Sequence, residues 1–328
     1  MRYLTFLLLL FGCQSQPPEP VIFSGVAMTM EYKVMVGAPL SKVDKDKVQA
    51  IIDREFDRIN ETFNSWNPHS ELSRFNRMKA DEKIVLSLEL SQFFTFLKEI
   101  VQLTDGRFDP TIAPLKKRFV ASLEKGELPD QNEQNFISQA VGWDKIQQNE
   151  TTAYKSHDLT SLDLGGIAKG YAIDLITESL RAEGYQNAYV EWGGEIRAVG
   201  EHPAGRPWRI YIRHFETSDP RQALALVDLK NRAVATSGDY LQQWEGPESN
   251  RYTHIIDPKT KMPLKISKSS ISTATVLAET ATLADALATT LMLFETKEQA
   301  IRWIESVQKK YPDIQYWVAT RENSSSAL

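Results

Sequence analysis

The order in which strand-like and helix-like periods follow one another constrains this 328-residue chain most. From Val26 to Val36, the residues Val26, Met28, Met30, Tyr32, Val34 and Val36 recur at every second position, which is the period of a strand. From about residue 41 to 63 the period changes: Val48, Ile52, Phe56, Ile59 and Phe63 make one helical stripe. A polar segment, SWNPHSELSRFN, separates this from a second predicted helix near 88–103, and DGRFDPTIAPL leads into a charged stretch that ends near 135. SLDLGGIAKGYAID, residues 161–174, opens a helix predicted to stop at Gly184, a suitable residue just past a helix end. Short strands divided by Gly, Pro and Asn turns fill 188–236; a strand at 270–277, helices at 279–294 and to about 308, and a strand near 314–320 complete the order. Helices and strands do not alternate regularly, as a doubly wound parallel sheet requires. The expectation is an α+β fold with a mixed, largely antiparallel sheet and packed helices.

The N-terminus bounds where such a domain works. Arg2 precedes an apolar run from Tyr3 to Gly12, about half of the ~20 residues a spanning helix needs, so residues 1–12 read as a signal peptide. Its end, Leu10-Phe11-Gly12-Cys13, has the form of a bacterial lipobox, which makes Cys13 a lipidated first residue and 13–24 a short tether with three prolines. The folded domain is then 25–320, with a polar tail at 321–328. The expectation is a protein of the bacterial cell envelope, lipid-anchored and facing outside the cytoplasm, on the periplasmic side if the cell is Gram-negative. Cys13 is the only cysteine, which excludes disulfides, a Cys-ligated zinc and a cysteine nucleophile in the domain. A formal net charge of −5 without a basic run gives no reason to expect nucleic-acid binding.

Two segments carry candidate chemistry. Asp163, Gly165-Gly166 and Lys169 lie at the start of a helix, but they fit neither the P-loop nor the Rossmann fingerprint. Close backbone approach and anion binding at a helix N-terminus remain open, as does a plain strand-to-helix turn. In ATLADALATTLMLF, a lone carboxylate, Asp285, interrupts an apolar helix, and Thr289 follows four residues on, on the same face. Buried, such an acid needs a partner, and a carboxylate with a hydroxyl suits a hard cation such as Mg2+. A capped structural acid fits the same pattern. His69, His157, His202, His214 and His254 show no helical pair spacing for a metal, and no G-x-S-x-G elbow supports a serine hydrolase. TSGDY, at 236–240, reads as a turn that contacts a ligand.

Taken together and in order, WNPHSELSRFN, DGRFDPTIAPL, DLGGIAKG, WGGEIR, TSGDY, THIIDP and ADALAT closely resemble the ApbE family of flavin transferases, across roughly residues 25–310. The resemblance implies an ApbE-like fold and Mg2+-dependent transfer of FMN from FAD to a Thr or Ser hydroxyl of an acceptor protein, with release of AMP. It implies that Asp285, Thr289 and the Ala168 carbonyl bind the metal, with Ca2+ or Mn2+ as alternatives to Mg2+. It places Asp163, Gly165, Gly166 and Lys169 against the ribityl and phosphate part of FAD. Met28, Trp66, Asp109, Ser237 and Ile255 fall at FAD-pocket positions, and His254 matches a histidine implicated in catalysis. The sequence departs from the family at Thr29 and Lys261, where glycine is usual, and at Glu195, where a shorter acid or amide is common. Two other outcomes share these residues: an FAD pyrophosphatase that releases FMN and AMP, and a non-catalytic FAD-binding lipoprotein. No acceptor motif of the Asp-x-x-Gly-Ala/Ser-Thr/Ser type occurs in the chain. The acceptor is therefore expected to be another protein, an exported or membrane-bound electron-transfer subunit.

Overall fold

The computed structural model describes residues 18–213, 223–240 and 242–321. The signal peptide, Cys13 and residues 322–328 of the tail lie outside the described residues. Its centre is a seven-stranded sheet in which, in spatial order, Val21–Ala27, Met30–Val36, Ala188–Trp192, Glu195–Val199, Arg232–Gly238, Ile271–Ala278 and Gln315–Thr320 are neighbours. Every pairing in it is antiparallel, as the irregular element order predicts.

Alternation along the strands divides this sheet into two faces. Ala188, Val190, Ala233, Ala235, Val276 and Ala278 belong to the main core with the helices, whereas Tyr189, Ala198, Val234 and Leu277 pack with Trp208, Ile210, Val227 and Leu229. The second face is thus covered by the two-stranded ribbon of Trp208–Ile212 and Ala225–Leu229. On the first face lies Ala281–Met292, whose Ala and Leu residues are almost all buried, next to Ala168–Ala182 and then Lys42–Thr62. A helix surrounded in this way has apolar residues on all sides, which is why its one carboxylate stands out in the sequence.

The predicted helix stripe from Val48 to Phe63 is buried as expected. At the end of Ala168–Ala182, Gly184 takes φ +93 and Tyr185 N donates to the Leu180 carbonyl, the predicted stop. Three expectations change. The alternation from Val26 to Val36 is not one strand but a hairpin, because Met28 and Thr29 both take positive φ (46 and 69) and reverse the chain. The strand Val21–Ala27 begins inside the stretch read as tether. Short helices occupy Glu71–Arg77, Ala113–Leu123 and Gln131–Ser138, where polar or charged loops were expected. Each starts at a residue or turn that polar composition hides: Ser70 accepts from Ser73 N, Asp130 accepts from Glu133 N, and Asp109 caps the turn Pro110–Ile112 that leads into Ala113–Leu123.

Thr29 and Lys261, the two residues in place of family glycines, sit at φ +69 and +60. These are left-handed conformations that a β-branched or long side chain enters at a cost of about 1–2 kcal/mol. The fold therefore keeps the backbone that glycine favours and accepts the strain.

Candidate active site

Five parts of the chain meet at one cleft of about 240 Å³. The loop 163–166 and the start of Ala168–Ala182 form its floor, and Asp285 and Thr289 project from Ala281–Met292. Thr236–Gly238 comes from the sheet, while His254 and Ile255 come from the strand Arg251–Asp257 of a separate three-stranded sheet. Asp109 enters from the turn before Pro110–Ile112.

The loop carrying Asp163 is held from three sides. Lys155, fully buried, donates to the carbonyls of Asn76 (2.9 Å) and Thr160 (2.6 Å), and burial pushes its ammonium down to about 8. Asn76 pairs with the backbone of Leu162 in both directions, and Asp163 N donates to the Pro110 carbonyl at 2.7 Å. Held there, the Asp163 carboxylate accepts from Gly165 N at 2.7 Å and pairs with Lys116 Nζ at 2.7 Å. Burial pushes Asp163 upward, but Lys116 and the Gly165 amide outweigh it and keep the carboxyl below its usual range.

Behind this lies a buried charge cluster. Lys169 Nζ is 2.8 Å from Glu195 Oε1 and 3.7 Å from Asp285 Oδ2, and Asp285 also accepts from Gly170 N at 3.1 Å. Burial pushes Asp285 upward against the pull of Lys169; it pushes Glu195 up to about 8, with the Asp285 charge adding to the effect. Glu195 Oε2 is buried without a hydrogen-bond partner, and a carboxyl raised to about 8 is largely protonated at pH 7, which leaves the Lys169 ammonium set against Asp285.

Oxygens suited to a hard divalent cation line the same cleft as Asp285. Thr289 Oγ1 lies 3.4 Å from the Gly166 carbonyl oxygen and 3.1 Å from Ser237 Oγ. Cis ligands of an octahedral Mg2+ stand about 3 Å apart, given bonds of 2.0–2.1 Å. Gly166 has to be glycine here, because a Cβ would sit 2.7 Å from Thr289 Oγ1. Among the described residues no group of three His, Cys, Asp or Glu side chains offers an alternative centre. The donor set of one carboxylate, one hydroxyl and one carbonyl fits a hard cation that takes its remaining ligands from water and phosphate.

His254 is half-buried with Nδ1 enclosed and unpartnered. Burial and, next, the nearby Lys116 charge hold its imidazole below the ordinary histidine range, so it is neutral at pH 7. Asp109 accepts from Thr111 N (2.9 Å) and Thr111 Oγ1 (2.6 Å), and burial raises its carboxyl.

Of the residues singled out in the sequence, Asp109, Asp163, Gly165, Gly166, Lys169, Ser237, His254, Ile255, Asp285 and Thr289 line this cleft together. Three do not. Met28 is at the hairpin tip, packed against the core; Trp66 is 92% exposed on the loop before Glu71–Arg77; and Ala168 is the first residue of its helix. The carbonyl beside Thr289 belongs to Gly166, two residues before Ala168. Lys116, Arg107 and Glu195 line the cleft without having been assigned a role. Glu195 was visible as a family departure, and Lys116 is the residue directly after DGRFDPTIAPL.

Comparison with known proteins gives a consistent answer. The sequence profile of the ApbE family matches residues 27–314. The FAD:protein FMN transferase of Chlamydia pneumoniae is 39% identical over 301 residues, covering 91% of this chain and 93% of that protein. That of Vibrio cholerae is 34% identical, with 88% and 86% covered. The apo crystal structure of the Pseudomonas stutzeri flavinyl transferase ApbE superposes with a TM-score of 0.79 at 25% identity, covering 93% and 92%. With the profile spanning most of the chain and relatives similar over nearly their whole length, the chain belongs to the ApbE family.

Proposed function

We propose that this protein is an FAD:protein FMN transferase, which moves FMN from FAD onto a Thr or Ser hydroxyl of an acceptor protein and releases AMP. The observation that carries the reading is the convergence of Gly166, Asp285 and Thr289 with Asp163, Lys169 and His254 in one cleft, although they come from separate segments spread between positions 163 and 289. The relatives named above add the substrate class.

In the reaction, the acceptor oxygen bonds to the FMN-side phosphorus, the P–O bond to the AMP phosphate breaks, and AMP leaves with the electron pair. The hydroxyl proton goes to His254, whose neutral form at pH 7 can take it. Asp285 and Thr289, with the Gly166 carbonyl beside Thr289 or the Ala168 carbonyl that the family resemblance implies, would hold Mg2+, which when bound would supply neutralisation of charge on the pyrophosphate oxygens. Lys169 adds a fixed positive charge at the same place: burial pushes its ammonium down, but the Asp285 and Glu195 carboxyls outweigh this and keep it protonated. Lys116 brings a further positive charge to the cleft, paired with Asp163, which also holds the loop amide of Gly165. Transfer of this kind depends on positioning more than on covalent chemistry, which suits a site built from rigid helix starts.

A lipid anchor at Cys13, a place in the cell envelope and an exported or membrane-bound acceptor complete the proposal. They rest on the N-terminal apolar run and the cysteine that ends it. Among the described residues, no helix is long and apolar enough to cross a membrane.

The test is incubation with FAD, Mg2+ and a protein carrying an acceptor motif, read by intact mass. FMN should appear on the acceptor and be lost with Asp285→Ala. Free FMN and AMP without a labelled acceptor would favour the pyrophosphatase, and no turnover of FAD would sink both. Palmitate labelling of the full chain, absent in Cys13→Ala, checks the anchor.

A further inference from the structure

The helix that carries Asp285 and Thr289 is docked on the 166–174 segment by contacts that repeat every four residues. Gly166 O meets Thr289 Oγ1 (3.4 Å), Gly170 N meets Asp285 Oδ2 (3.1 Å), and Asp174 meets the helix start at Ala281 and Thr282. Positions 166, 170 and 174 thus pair in reverse order with 289, 285 and 281. Four-residue steps keep to one face of a helix, so these are the facing sides of two antiparallel segments.

Asp174 is the strongest link in this series. Its Oδ1 accepts from Ala281 N at 2.9 Å; its Oδ2 accepts from Thr282 N at 2.8 Å and from Thr282 Oγ1 at 2.5 Å. A carboxylate at a helix N-terminus satisfies free N–H groups and interacts favourably with the helix dipole. Here the acid comes from a different helix, so the cap also fixes where one helix lies along the other. Arg197 Nη1 holds the same carboxylate at 2.8 Å, and its Nη2 reaches Glu178 at 2.5 Å. Arg197 and Glu195 are two residues apart on one strand and therefore point to the same face. One strand thus steadies both ends of the pairing: Glu195 through Lys169 near Asp285, and Arg197 through Asp174 at the helix start.

We infer that Asp174 is a positioning residue for the metal ligands: it pins the register of Ala281–Met292 against the 166–170 segment, and so places Asp285 and Thr289 against the Gly166 carbonyl. A slip of one residue would turn Asp285 by about 100° away from Gly170 and break the ligand set. Asp174 does not line the cleft. Its effect passes through the helix.

This inference rests on the metal site of the proposed function, and the experiment separates the two. Mn2+ binding to the full-length protein is measured by electron paramagnetic resonance, with and without FAD, for wild type, Asp285→Ala, Asp174→Ala, Asp174→Asn and Thr296→Ala. Thr296 caps Lys297–Gln308, a helix without site residues, and so reports cap loss alone. Asp174→Ala should weaken Mn2+ binding by about 10–100-fold, the range for residues that orient ligands. Asp174→Asn, which keeps one acceptor oxygen, should weaken it less, and Thr296→Ala should match wild type. Transfer by Asp174→Ala should recover as Mg2+ is raised, because the loss is in metal affinity and not in kcat. Wild-type Mn2+ affinity in both Asp174 variants would overturn the inference, as would a lower kcat at every Mg2+ concentration with unchanged Mn2+ affinity. If Asp174→Ala does not fold, Asp174→Asn decides by the same criteria. Absent binding to wild type, or undiminished binding to Asp285→Ala, would instead refute the metal site itself and this inference with it.

Discussion

Replacing Gly170 by alanine tests how closely the two site helices approach. An added Cβ would lie 2.3 Å from the Ala281 carbonyl oxygen, 2.6 Å from its carbonyl carbon and 2.8 Å from Thr282 N. All three are backbone atoms, so no rotamer change relieves the clash. Ordinary van der Waals contact begins at 3.4 Å. The helices therefore have to part by about 1 Å, an overpacking that costs about 1–3 kcal/mol in a close-packed interior. Parting also stretches the hydrogen bonds of Asp174 to Ala281 and Thr282, a cap loss of about 1 kcal/mol. Alanine returns about 1 kcal/mol through its better helix propensity. The expected net loss is about 1–3 kcal/mol, read as a lower urea midpoint at unchanged m-value. A second consequence is local: Gly170 N moves away from Asp285 Oδ2, so the Mg2+ concentration for half-maximal transfer rises. A variant as stable as wild type with the same Mg2+ requirement would refute the close approach, and with it the argument that glycine at 170 is what lets the helices meet.

Two further outcomes follow from charge and strain. Because burial and Lys116 hold His254 below the ordinary range, kcat/KM should stay level down to a pH below 6.5 and then fall as His254 is protonated; Lys116→Met should move that acid limb upward, and a limb unmoved by loss of the cation would refute the coupling. Thr29→Gly should stabilise the fold by about 1 kcal/mol, since Thr29 sits at φ +69, and chemical denaturation showing a loss instead would mean that its side chain makes contacts worth more than the strain.

Most of the architecture was legible because it rests on periodicity. The stripe from Val48 to Phe63 could face only one way, and the apolar helix around Asp285 could only be buried. The hairpin at Met28-Thr29 was not legible. Its turn uses residues that disfavour positive φ, so the local signal for a reversal was absent while the alternation on either side ran through unbroken. The short helices after Ser70 and Asp130 were missed for the opposite reason: their cap signals were present, but their polar sequences lack the apolar stripe that marks longer helices.

The site shows the same division between what is local and what is relational. Gly166, Gly170 and Asp174 stand four apart within one quoted motif, and Ala281, Asp285 and Thr289 stand four apart within another. Each series marks one face of a segment and can be read without a structure. Their pairing cannot, because antiparallel docking at this register is fixed by contacts between segments more than a hundred residues apart: a glycine that admits the Ala281 carbonyl and an aspartate that caps the helix start. With 174 set against 281 and 170 against 285, the residue that falls opposite Thr289 is 166, and the carbonyl oxygen 3.4 Å from Thr289 Oγ1 is Gly166's. Side-chain ligands announce themselves by residue type, whereas a backbone ligand is identified only by position. The docking of the two segments is therefore part of the chemistry of the site, and Asp174 belongs to its account as much as the oxygens it places.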